Sequence, residues 1–118
     1  MKTTRASECR RDPRIFELAE ALKVLSDPNR LRIMCLLSKG ELCACEVEQE
    51  LQISQQLSSH HLNVLKEAGF LRVRKEGTWS HYSIDKEYLR RLNDIFSKYL
   101  DYRNVEDRQN QAASCLKD

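Results

Sequence analysis

No apolar run in this chain approaches the roughly 18 residues needed to cross a membrane as a helix. The charged N-terminal stretch also lacks the apolar core of a signal peptide, so a cytoplasmic location and no membrane partner are expected. Glycines number only three and prolines two. There is no glycine-rich cofactor loop, no Cys-x-x-Cys redox motif and no paired nucleophile and base, so an enzyme is not expected. The formal net charge is only +2, too small to argue for nucleic acid by itself. The five cysteines are odd in number and lack a disulfide-framework spacing, which fits reduced thiols. At 118 residues the chain has room for one domain and little more.

What is present is segregated along the chain. Lys2, Arg5, Arg10, Arg11 and Arg14 face only Glu8 and Asp12 in the first segment, whereas Glu41, Glu46, Glu48 and Glu50 make a central stretch acidic. Residues 1–12 read as a flexible basic arm, 13–102 as one folded domain and 103–118 as a flexible polar tail. In the domain, Pro13 can open a helix whose Ile15, Phe16, Leu18, Ala19, Leu22 and Leu25 form a broad apolar face. Asp27 then caps a second helix with Pro28 at its first position, where the missing N–H would have been unpaired anyway. That helix, through Leu37, is apolar nearly all round and is predicted to be the central buried one.

A short helix from Ala44 to Leu51, a turn at Gln52 and Ile53, and a longer helix capped by Ser54 make a helix-turn-helix pattern. At about 100° per residue, Leu57, Ser58, His61, Leu62, Val64, Leu65 and Ala68 share one arc, while Gln56, Ser59, His60, Asn63 and Glu67 lie opposite. Gln55, Gln56, Ser58, Ser59 and His60, with Asn63 beyond them, are the predicted DNA-reading set. Gln56 and Ser59 rank first, and Ser58 lies at the edge of contact. An ordinary solvated face is the competing reading of the same residues.

After Gly69, two strands about Glu76 and Gly77 read as a hairpin wing whose Arg72, Arg74 and Lys75 would meet phosphate. Asp85 begins a last helix with Tyr88, Leu89, Leu92, Ile95, Phe96, Tyr99 and Leu100 on one arc. Such a stripe needs a partner. Phe16, Leu18, Leu89, Leu92, Ile95, Phe96 and Tyr99 are therefore expected at a two-fold dimer interface, against the alternative of an intramolecular cap on the core. The expected fold is mainly α with a β-hairpin wing: a homodimeric winged helix-turn-helix.

With these elements in this order, LSDPNRLRI, ELCACEV and SSHHLNVLKEAGFLRVRKEGTWSHYSI closely resemble the ArsR/SmtB family of metal-sensing winged-helix repressors, from about Phe16 to Leu100. The ELC-x-C element resembles the arsenic-sensing branch. The resemblance implies a homodimer that holds a palindromic double-stranded operator when metal-free and releases it when a thiophilic ion binds. No cofactor is expected to be required for folding.

Cys43 and Cys45 carry the sensing expectation. Within one regular helix, residues two apart point about 200° apart, so both thiolates can hold one ion only if the first turn unwinds or Cys43 stays outside the helix. Sulfur ligands select soft ions, As(III) and Sb(III) first and Cd(II) or Pb(II) next. The best-known arsenic-type pattern has a third cysteine where this chain has Glu48. A third ligand would come from Cys9, Cys115 or Cys35, and Cys35, in an apolar helix, is expected to pack rather than bind. No histidine follows His81, so a zinc site on the last helix is not supported. Of the adjacent His60 and His61, the first falls on the free face and the second on the buried arc. Two alternatives remain: a repressor of the same fold that senses oxidants or reactive sulfur through cysteine oxidation, and a cytosolic thiol metal-buffering protein. For the former, Cys43 and Cys45 are too close within a helix for an easy unstrained disulfide, so a longer-range pair would be needed.

Overall fold

The structure, a computed structural model, describes residues 5–107. Four polar side chains set its helix starts. Asp12 accepts from the Arg14 amide at 2.9 Å and Asp27 from Asn29 at 2.7 Å, each just ahead of a proline. Ser54 accepts from Leu57 at 3.0 Å and Asp85 from Tyr88 at 3.1 Å. Each cap satisfies an amide that has no partner inside its helix. The resulting order is α1 (Arg5–Arg11), α2 (Pro13–Leu25), α3 (Pro28–Leu37), β1 (Leu42–Cys43), α4 (Ala44–Leu51), α5 (Gln55–Glu67), β2 (Leu71–Glu76), β3 (Trp79–Ile84) and α6 (Lys86–Leu100), with a short 3-10 turn at Tyr102–Asn104.

Between α4 and α5 the chain reverses at Gln52, which takes the left-handed conformation at φ 55°. At the end of α5, Gly69 adopts φ 96° so that the Phe70 amide can return to the Leu65 carbonyl at 2.9 Å. That conformation is open to glycine and strained for a residue with a Cβ. Phe70 then turns inward, edge-on to Tyr88 at 5.1 Å between ring centres, and its carbonyl accepts from the Asp85 amide at 2.9 Å. The wing and α6 are thereby tied to the end of α5.

The sheet is three-stranded and antiparallel in the order β1-β3-β2. Leu71 faces Ile84, Val73 faces Tyr82, and Tyr82 also faces Leu42, so one face packs on the helices. Arg74, His81 and Cys43 form a cross-strand row on the other face. β1 was not foreseen, because two residues are too short to show a period of two.

Leu18 and Ala21 of α2, Ile33 and Leu37 of α3, Val47, Leu62, Leu65, Phe70, Leu71, and Leu92 and Ile95 of α6 make one core. Packing overturns two expectations. Helix α3 is not buried all round: Ile33 and Leu37 point inward, but Leu31 is 51% exposed and Cys35 is exposed, since among the described residues no other element covers that side. The α6 stripe divides. Leu92, Ile95 and, on α2, Leu18 are consumed by the chain's own core because α6 packs directly on α2, so these three are not free for a partner. Phe16 at 70% and Phe96 at 43% remain exposed, while Leu89 and Tyr99 are half-buried. The arm expected over 1–12 is described from residue 5, where it forms α1, and at its end the Tyr99 hydroxyl donates to Asp12, which Arg14 also holds at 2.9 Å. The tail expected over 103–118 is described only as far as 107.

Candidate nucleic-acid interface and thiol site

Helix α5 presents two chemically distinct sides. Ser58, His61, Leu62 and Leu65 are buried at the spacing of one helix face. Gln55, Gln56, Ser59, His60 and Asn63 are exposed together on the opposite side. Ser58 therefore leaves the DNA-reading set. It is 0% exposed, one turn before Leu62, and its hydroxyl has no hydrogen-bond partner among the described residues. Leu57, assigned to the core arc, is instead 39% exposed. What remains is a patch of amides, a hydroxyl and an imidazole in the first turns of a helix, the chemistry that reaches base edges in a major groove.

The buried side of α5 is fixed to α3 by polar contacts that sequence reasoning missed. Arg30 Nε donates to His61 Nδ1 at 3.1 Å and its Nη1 to the Val24 carbonyl at 3.2 Å, while Asp27 Oδ1 lies 3.8 Å from His61 Nε2. Burial pushes the His61 imidazole below its ordinary pKa. The adjacent His60 is exposed, as the helical spacing had placed it.

The wing carries Arg72, Arg74 and Lys75, all exposed. Two of these cations are already engaged: Arg72 Nε lies 3.3 Å from Asp85, and Arg74 Nη2 lies 2.7 Å from Glu41. Trp79, 55% exposed at the start of β3, adds an aromatic surface beside them that sequence reasoning left without a role.

The thiol pair lies where β1 becomes α4. Cys43 keeps extended backbone angles (φ −82°, ψ 163°) as the N-cap of α4, and Cys45 is in the first turn. The obstacle expected of a regular helix is thereby removed, since Cys43 stays outside it. The two Sγ atoms are 2.9 Å apart. The same placement withdraws the objection to a disulfide between them, which assumed that both were helical. Cys43 is buried and Cys45 exposed, so the pair has one sheltered and one accessible sulfur. Glu46 turns its carboxylate back to the Cys43 amide at 2.9 Å, reinforcing the turn. The hydrogen bond that the Cys43 thiol shares with the neighbouring Cys45 and, next, burial raise the Cys43 thiol above its usual pKa, despite the favourable helix N-terminus.

Two thiols suit a soft ion, but among the described residues no group of three His, Cys, Asp or Glu side chains is gathered to hold a metal. Cys9 is exposed on α1, Cys35 is exposed on α3 rather than packed, and Cys115 lies outside the described residues.

A helix-turn-helix continued by a hairpin wing defines a winged helix-turn-helix, an architecture of DNA-binding regulators. A family model described as bacterial regulatory protein, arsR family, matches residues 27–73, from the cap of α3 into β2. An arsenical resistance operon repressor of Staphylococcus xylosus is 42% identical over 99 residues, spanning 84% of this chain and 88% of the relative. A homologue of the cadmium resistance transcriptional regulatory protein CadC from Staphylococcus aureus is 38% identical over 91 residues, 76% of this chain and 74% of that protein. Among solved structures, reduced HlyU from Vibrio cholerae N16961 superposes with a TM-score of 0.64 at 26% identity, covering 78% of this chain and 98% of that one. The chain belongs to the arsR family of bacterial regulatory proteins. Such relatives are transcriptional regulators rather than enzymes, and among the described residues no helix is long and apolar enough to cross a membrane.

Proposed function

We propose that this protein is a cytoplasmic, dimeric repressor that binds a palindromic operator and releases it when As(III) or Sb(III), or a soft cation such as Cd(II) or Pb(II), is captured by Cys43 and Cys45. One observation carries the reading: the two sulfurs lie 2.9 Å apart at the junction that leads into the helix-turn-helix. A soft centre bonded at about 2.3 Å to two sulfurs holds them about 3.3 Å apart at the near-right angle of a pyramidal As(III) and about 3.8 Å apart at the tetrahedral angle of a divalent cation. Capture of either would therefore spread the pair and shift the first turn of α4. Val47, one turn further on, is fully buried against the core that seats α5, so the shift has a rigid route to the DNA-reading residues. The names of the arsenical and cadmium resistance relatives support the class of inducer. A third sulfur from Cys9 or Cys115, from either protomer, would complete a three-coordinate site.

The test is a mobility-shift titration with DNA selected by the wild-type protein from a random duplex library. Cys43→Ser and Cys45→Ser should bind that DNA normally and resist arsenite. Release of either variant at the wild-type arsenite concentration removes that cysteine from the site.

A second reading has its own support. An exposed Cys45 thiol within 2.9 Å of a buried partner suits a pair in which peroxide oxidises the outer sulfur and the inner one resolves it to a disulfide, water leaving at each step. Mass spectrometry after peroxide and after arsenite, set beside DNA release, separates the two.

A further inference from the structure

Glu41 stands two residues ahead of Cys43 and grips the wing. Arg74 donates through Nη2 to Glu41 Oε1 at 2.7 Å and through Nε to Oε2 at 3.3 Å, and its Nη1 reaches Glu76 at 3.4 Å. A guanidinium facing two carboxylates is already neutralised and offers phosphate little until one of them is displaced. The segment that holds Glu41 in place is β1, whose Leu42 pairs with Tyr82 and whose Cys43 pairs with His81. His81 in turn pairs with Arg74. The thiol site and the wing cation therefore belong to one row of one sheet, and Glu41 bridges its ends. The arginine also holds the Glu41 carboxyl below its usual pKa.

We propose that Glu41 is a positioning residue that withholds Arg74 from DNA phosphate, and that its grip is set by occupancy of the thiol site. DNA must displace Glu41 to engage Arg74. An ion bridging Cys43 and Cys45 fastens the end of β1 to the first turn of α4, which leaves the strand that carries Glu41 less free to swing away from Arg74, so ligand and DNA oppose one another through the wing as well as through α5. By linkage, DNA weakens ion binding by the factor with which the ion weakens DNA binding. This inference rests on the sensor-repressor reading above.

Glu41→Gln keeps the shape and removes the charge. Against the duplex selected by the wild-type protein it should bind about 3- to 10-fold more tightly, and the plot of log affinity against log salt should steepen by about 0.9, the increment of one added phosphate contact. Arsenite should weaken its DNA binding by less than half the wild-type factor. Arg74→Ala should cost more affinity in the Glu41→Gln background than in the wild type, the non-additivity that marks a direct competition. A Glu41→Gln protein with wild-type affinity, salt slope and arsenite response overturns the proposal, as does one that binds DNA more weakly while its circular dichroism and melting are unchanged. If the wild-type protein selects no duplex, the repressor reading fails and this inference falls with it. If it binds DNA but ignores arsenite, the sensing reading fails alone, and the affinity and salt slope still decide whether Glu41 withholds Arg74.

Discussion

Arg30 Nε donates to His61 Nδ1 at 3.1 Å, joining the first turn of α3 to the buried side of the helix proposed to read DNA. The bond needs a neutral imidazole, and burial favours that form by lowering the His61 pKa below 6.5. A group whose folded pKa is depressed gives its full contribution above the unfolded value and loses it as pH falls toward the folded one. The urea midpoint of the wild-type protein should therefore drop between pH 7.5 and pH 5.5. His61→Gln should be less stable at pH 7.5 by about 1–3 kcal/mol yet show a flatter pH dependence. Equal slopes in the two proteins would show that His61 is not the titrating group.

The raised pKa of Cys43 sets the pH dependence of cation capture. A thiol must lose its proton to bind a divalent soft ion, so Cd(II) affinity should rise from pH 6 to pH 8 and protons should be released on binding. Ultraviolet sulfur-to-metal absorption gives the titration. An affinity that does not change with pH would argue that the thiols are not the ligands.

Ser58 and Ser59 are neighbours with opposite expected phenotypes. Ser59→Ala, with Gln56→Ala, should cost about 1–3 kcal/mol per base-reading contact and relax sequence preference. Ser58→Ala, at a fully buried hydroxyl, should leave DNA affinity unchanged and alter stability by no more than about 1 kcal/mol. An unaltered ratio of selected to random DNA in the double variant would remove Gln56 and Ser59 from the reading set.

Phe96 and Ile95 likewise separate association from folding. Phe96 is 43% exposed and Ile95 only 1%. Phe96→Glu should sediment as a folded monomer. Ile95→Ala should melt earlier, costing about 2–5 kcal/mol, without a specific effect on assembly. A folded dimer of Phe96→Glu would move the proposed interface away from the C-terminal half of α6.

The Gly69 turn offers a check on backbone geometry. Its added Cβ would meet the Tyr88 ring at an ordinary 3.6 Å, so the penalty of Gly69→Ala comes from φ 96° rather than from a clash. The loss should be about 1 kcal/mol or more in denaturant unfolding. A variant as stable as the wild type would mean that the turn relaxes.

The starts of α2 to α6, the helix-turn-helix and the wing were legible in the chain because their signals are local. Asp27 before Pro28, Ser54 after Ile53 and Gly69 at the end of α5 act within one turn of the residues they organise. The same holds for the free face of α5, where Gln55, Gln56, Ser59, His60 and Asn63 are exposed together as their spacing implied. Which apolar residues would be spent inside the chain was not legible, since Leu92 and Ile95 look like Phe96 until α2 is laid against them. Ser58 shows the same limit: a helical wheel put it on the border, and packing put it inside. Cys43 shows it most directly. Whether two cysteines at this spacing can meet depends on where the helix begins, and that is decided by the pairing of Leu42 and Cys43 with Tyr82 and His81, almost forty residues away in the chain. Local sequence sets propensities and caps within a turn, but a two-residue strand exists only because a distant strand supplies its hydrogen bonds.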